Sequence, residues 1–157
     1  MQNIAPCLWF DNQAEEAVAF YMSIFKDAEI TQVARYTEDS HGEPGKVMAI
    51  DFKLAGQDFM AVNGGPDFKF SEAISLFVNC ETQEEVDMYW EKLTEGGEES
   101  QCGWLKDKFG VSWQIVPTVL GTWVTDPDKT KARKVTEAML KMSKLDIETL
   151  RKAYEGG

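Results

Sequence analysis

At 157 residues, with 43% hydrophobic and 27% charged residues, the chain has globular composition. A chain of this length buries about two thirds of its unfolded surface without disulfide or metal staples. Sixteen Lys and Arg against 27 Asp and Glu leave a net charge of −11, which disfavours a phosphate backbone as partner and reads as a solvated surface.

The N-terminal Met1-Gln2-Asn3-Ile4-Ala5-Pro6 lacks the basic patch and apolar run of a signal peptide, and no apolar stretch is long enough to span a bilayer. A cytoplasmic location is therefore expected. The three cysteines, Cys7, Cys80 and Cys102, are odd in number and have no Cys-x-x-Cys spacing, which suits reduced thiols.

The run Ile4 to Phe10 predicts a strand. Asn12 followed by Glu15 reads as a capping box, opening a helix with Ala17, Phe20, Tyr21, Ile24 and Phe25 on one face. Strands are expected over Glu29 to Tyr36, Val47 to Leu54 and Phe59 to Val62, with a polar turn at Ser40 to Gly45. The order then restarts after Asn63-Gly64-Gly65-Pro66. Ile74 to Val78 predicts a strand, Thr82 with Glu85 a second capping box, and Val86, Tyr89, Trp90 and Leu93 a helix ended by Gly96-Gly97. Three strands follow, at Glu99 to Cys102, Trp104 to Lys108 and Val111 to Val116.

The two helices align at an offset of 69, Glu15-Glu16 on Glu84-Glu85 and Phe20-Tyr21 on Tyr89-Trp90, which marks an internal repeat. The chain is expected to form an α+β domain of two βαβββ modules, about residues 1–65 and 66–120. An extension of about residues 121–157 carries a helix opened by Thr125-Asp126-Pro127-Asp128, with Val135, Ala138, Met139 and Met142. A shorter helix follows with Leu145, Leu150 and Tyr154. These stripes read as a C-terminal cap or a dimer element.

This repeat resembles the vicinal oxygen chelate superfamily, which includes glyoxalase I and bleomycin-resistance proteins, and the resemblance implies a curved mixed sheet around a central cavity. Leu8-Trp9-Phe10-Asp11, Asn63-Gly64-Gly65-Pro66, Cys102 to Asp107, Gly110 to Pro117 and the closing Met139 to Ile147 are similar to its PhnB-like branch, labelled a 3-demethylubiquinone-9 3-methyltransferase domain. The resemblance implies that metalloenzyme relatives take four ligands from the first and last strands of the modules. The offset of 69 and the alignment of Gly56 with Gly110 put Pro6, Met60, Ser75 and Gln114 at those positions. None is a carboxylate or imidazole, so no metal and no other cofactor is expected.

Catalytic signatures are weak. His41, the single histidine, sits in a polar turn, and nothing in the sequence supplies a base for Cys102. Asn63-Gly64-Gly65-Pro66 lacks the spacing and Lys of a phosphate loop, and no Gly-rich turn offers a nucleotide pocket for methyl transfer. No catalytic residue is assigned, and whether the chain is an enzyme is left open. If the helices cover Trp113 and Ile115, then Leu8, Phe10, Met60, Val62, Ser75, Phe77, Gln114 and Val116 line the concave side, with Trp104 at its rim. The expected function is binding of a small, partly apolar or aromatic molecule without a catalytic metal, by a homodimer. The alternative is a metal-independent enzyme using substrate-derived or Gln114-assisted chemistry, with methyl transfer its least supported form.

Overall fold

A computed structural model of the protein describes residues 2–156, so Met1 of the N-terminal reading and the final residue of the C-terminal extension lie outside it. The chain divides into two compact units, up to Phe70 and from Ser71 onward.

The first unit contains β1 (Cys7–Phe10), α1 (Ala14–Ile24), β2 (Glu29–Arg35), β3 (Val47–Leu54) and β4 (Gln57–Asn63). Its sheet has the order β1-β4-β3-β2, with β1 parallel to β4 and the remaining pairs antiparallel. Alternation along the strands gives the sheet two faces. Leu8 and Phe10 of β1, Ile50 and Phe52 of β3, and Phe59 and Ala61 of β4 are buried, as are Ala14, Ala17, Val18, Tyr21 and Ile24 of α1. Phe52 and Phe59 stack with ring centroids 5.4 Å apart.

The start of α1 differs from expectation. Gln13, not Asn12, is the N-cap residue, and its side chain makes no capping bond. The cap comes from the end of β4: Asn63 Oδ1 accepts from the Ala14 N–H at 2.9 Å. The same amide donates to Glu15 Oε1 at 2.8 Å and to the Val47 carbonyl at 3.0 Å. One side chain thus satisfies an orphan helix donor and ties α1 to β3 and β4.

The second unit repeats the order with β5 (Leu76–Cys80), α2 (Gln83–Thr94), β6 (Glu98–Glu99), β7 (Trp104–Lys106) and β8 (Ser112–Pro117), arranged β5-β8-β7-β6. Here the expected cap is present, with Thr82 Oγ1 accepting from the Glu85 N–H at 3.2 Å. The strand expected at Glu99 to Cys102 is reduced to two residues. Cys102 and Gly103 have φ of 58° and 85°, a left-handed turn that leaves the sheet, and their N–H groups bond the Met142 and Ser143 carbonyls at 2.8 Å.

Three helices follow: α3 (Thr118–Val124), which the sequence reading lacked, α4 (Lys129–Leu140) and α5 (Ile147–Tyr154). Asp128 and Asp146 cap the last two. Leu120, Val135, Leu145 and Leu150 form a buried cluster with Val116, against which Met139 and Met142 pack. Burying each of these aliphatic side chains stabilises the extension by about 1.5–3 kcal/mol. Val116, expected on the concave side, belongs to this cluster, and the Met-bearing stripe covers the end of β8.

Candidate functional site

In the second unit, register decides which side chains share a face. Leu76, Val78 and Cys80 lie opposite Trp113, Ile115 and Pro117, and most of this face is buried beside α2. The other face carries a row across three strands, Phe77 of β5, Gln114 of β8 and Trp104 of β7. Ser75, just before β5, accepts from Gln114 Nε2 at 2.9 Å. A second row on this face holds Ser112, Lys106 and Glu98. The structure therefore brings together four of the expected site residues, Ser75, Phe77, Trp104 and Gln114. Phe77 is 52% exposed, and Gln114 and Trp104 are half-buried.

The first unit separates the other four: it corrects Leu8 and Phe10 but leaves Met60 and Val62 on the open face. Cys7 pairs with Met60 and Trp9 with Val62, whereas Leu8 pairs with Ala61. Leu8 and Phe10 therefore lie on the buried side with Ala61, while Met60 and Val62 lie on the opposite face with Cys7 and Trp9. Asp51 pairs with Met60 and joins that face. Cys7 and Trp9 were missed because the apolar run Ile4 to Phe10 gives no sign of which alternate residues face α1.

The offset between modules also changes. Val78 stands opposite Ile115 as Leu8 stands opposite Ala61, so the first strands correspond at 70 residues while the helices correspond at 69. The link between β1 and α1, residues 11–13, is one residue longer than the link between β5 and α2, residues 81–82. Ser75 thus corresponds to Ala5 rather than Pro6. The positions at which the resemblance implies metal ligands hold Ala5 and Met60 in one unit, Ser75 and Gln114 in the other. A methyl group, a thioether, a hydroxyl and an amide do not fit a divalent metal, which is held by carboxylates, imidazoles or thiolates. Among the described residues, no group of three or more His, Cys, Asp or Glu side chains is placed to hold a metal ion.

The first unit also has a polar cleft of about 570 Å³, lined among others by Asp11, Glu15, Tyr36, His41, Lys46 and Asn63. His41 is exposed there. The adjacent Ser40 hydroxyl donates to the Thr37 carbonyl at 2.7 Å, which leaves it unsuited as a nucleophile for His41. Cys80 is fully buried, and desolvation with nearby Glu85 and Glu81 pushes its thiol up to about 12, so it remains a packed, protonated group.

Two mixed βαβββ modules followed by helices define a glyoxalase-like α+β fold. Residues 2–116 match the family model for 3-demethylubiquinone-9 3-methyltransferase. The chain belongs to this family, the PhnB-like branch of the vicinal oxygen chelate superfamily. It is 40% identical to a PhnB protein from Bacillus cereus, a putative 3-demethylubiquinone-9 3-methyltransferase, with a TM-score of 0.69 over 74% of this chain and 100% of that one. Protein PA1353 from Pseudomonas aeruginosa is 20% identical, with a TM-score of 0.63 over 74% and 98% of the two chains. A variant of the fosfomycin resistance protein FosX from Listeria monocytogenes, complexed with Mn(II) and 1S,2S-dihydroxypropylphosphonic acid, is 19% identical, with a TM-score of 0.53 over 72% and 90%. These last two share the fold. No curated protein sequence matches the chain.

Proposed function

We propose that the protein binds a small, partly apolar or aromatic molecule on the open face of its second unit, without a catalytic metal. The observation that carries this reading is the row Phe77, Gln114 and Trp104, in which a half-buried amide anchored to Ser75 stands between two aromatic rings. An exposed aromatic beside a fixed amide provides apolar contact and orientation together. Met60, Val62 and Trp9 give the first unit a similar open face, and we assign them the same kind of contact.

Methyl transfer, which the family's description names, draws less support. The parallel strands β1 and β5 run into their helices through Asp11-Asn12-Gln13 and Glu81-Thr82, which lack the glycines a nucleotide cofactor's close approach uses. No described helix is long and apolar enough to cross a membrane. We place the protein in the cytoplasm as a homodimer, a state supported by the exposed Ile30 and Val33 on the edge strand β2 and checked by light scattering.

Thermal melts with an aromatic fragment set test the binding reading. Because Phe77 is exposed, Phe77→Trp leaves the melting temperature near wild type, while Gln114→Leu and Phe77→Trp both reduce the shift given by a bound fragment. A wild-type protein that responds to no fragment overturns the reading. Elemental analysis showing one zinc or manganese per chain, removable by chelator with loss of stability, overturns the metal-free part.

A further inference from the structure

Next to Trp104, and within the same unit, lies a pocket of about 140 Å³ lined among others by Glu72, Glu98, Trp104, Lys106 and Ser112. Ser112 is 2% exposed, and its Oγ is buried with no hydrogen-bond partner in the protein. A desolvated hydroxyl without a partner is uncommon in native structures and marks a place where another molecule supplies one. The surrounding charge indicates what that molecule brings. Lys106, directly across the strand pair from Ser112, is ion-paired to Glu72, and Glu98 lies opposite it on β6. The lysine is thus already compensated by one carboxylate and faced by a second. An incoming anion meets this excess of negative charge, whereas a protonated amine is attracted to it and can donate to the free Ser112 oxygen.

We infer that the pocket at Ser112 receives the ammonium end of a ligand whose aromatic or apolar body lies along Trp104 and the neighbouring row. This rests on the binding reading above and narrows it to small aromatic amines. The Lys106 side chain covers the same sheet face as Ser112 and must swing aside to admit the group. Its pairing with the exposed Glu72 is one that water competes for, so the movement is accessible.

The test uses three size-matched probes, 2-phenylethylamine, 3-phenylpropionate and ethylbenzene, titrated at neutral pH into the full chain and followed by protein NMR. The amine is expected to bind about tenfold more tightly than the carboxylate, equivalent to the discrimination one well-placed charge provides. Ser112→Ala removes an unpaired hydroxyl, so the variant should melt no lower than wild type. It should lose about fivefold in amine affinity and leave ethylbenzene unchanged, as expected for one hydrogen bond. Lys106→Met, which frees the acidic groups, should strengthen amine binding. Equal binding of amine and carboxylate, or an amine preference untouched by Ser112→Ala, overturns the inference while ethylbenzene binding preserves the broader reading. If none of the probes binds, both fail.

Discussion

The first module holds the start of its helix with a side chain 49 residues away in sequence, whereas the second uses a residue three positions from the amide it caps. The hairpin turns show the same contrast. Between β3 and β4, the Ala55 and Gly56 N–H groups bond the distant Lys26 and Asp27 carbonyls. Between β7 and β8, the turn is held from within by Asp107, whose Oδ1 accepts from the Phe109 and Val111 N–H groups at 2.9 and 3.1 Å. Its Oδ2 accepts from Trp113 Nε1 at 2.9 Å. One architecture, repeated, has satisfied the same backbone groups by local means in one copy and by long-range means in the other. The backbone demand is fixed by the fold, but the residue that meets it is not.

Substitutions at these groups test the contrast. The largest effect is expected at Asp107, which is 3% exposed. Asp107→Ala leaves three donors facing an apolar gap and should cost about 3 kcal/mol or more in urea unfolding. A loss under about 1 kcal/mol would mean that the turn is held by other contacts.

Asn63→Ala should follow at about 2 kcal/mol, because it removes a helix cap and two further bonds, while Thr82→Ala removes one cap bond and should cost about 1 kcal/mol. Equal losses in the two variants would show that the long-range cap is energetically no different from the local one.

The smallest effect is expected where α2 meets the segment before α5. Hydrogen bonds from Lys144 and Gln83 hold the Asp87 carboxyl below its ordinary 3.8. A group lowered in this way stabilises the fold above its unfolded pKa and loses that contribution as pH falls through the folded value. Melting temperature should therefore drop slightly more steeply below about pH 4 in wild type than in Asp87→Asn. Parallel acid profiles would remove Asp87 from the account.

The parts of the fold legible in the sequence are those whose partners are close in sequence. Thr82 and Asp128 announce their helices because the amides they cap are two or three residues on. The cap of α1 was misassigned to Asn12 because nothing local indicates Asn63. The helix α3 was missed because Pro117, its N-cap, offers no side-chain acceptor. The site divides in the same way. Phe77, Gln114 and Ser75 share a face because Ser75 and Phe77 are two residues apart and Phe77 pairs directly with Gln114. Leu8 and Phe10 were placed on the wrong side because a one-residue difference in the link to the helix reverses every side chain of β1 relative to an offset of 69. Ser112 and Lys106 carried no signal, since an unpaired hydroxyl becomes unusual only after burial is known.

Asn63 has one more consequence, for the order in which the first unit opens. With the first amide of α1 bonded to the last residue of β4, the helix cannot fray from its N-terminus without also releasing the strand end and the Val47 carbonyl. Loss of the first turn is thereby joined to loss of the sheet, and amide exchange there should proceed only through a larger cooperative opening. The first turn of α2 is held by Thr82 at its cap and by the Gln83 side chain, which donates to the Leu145 carbonyl at 3.1 Å and accepts from the Ile147 N–H at 2.7 Å, so its opening releases the start of α5 rather than the sheet. Two helices of similar length and position in their modules are therefore joined to different neighbours, α1 to its own sheet and α2 to the C-terminal extension.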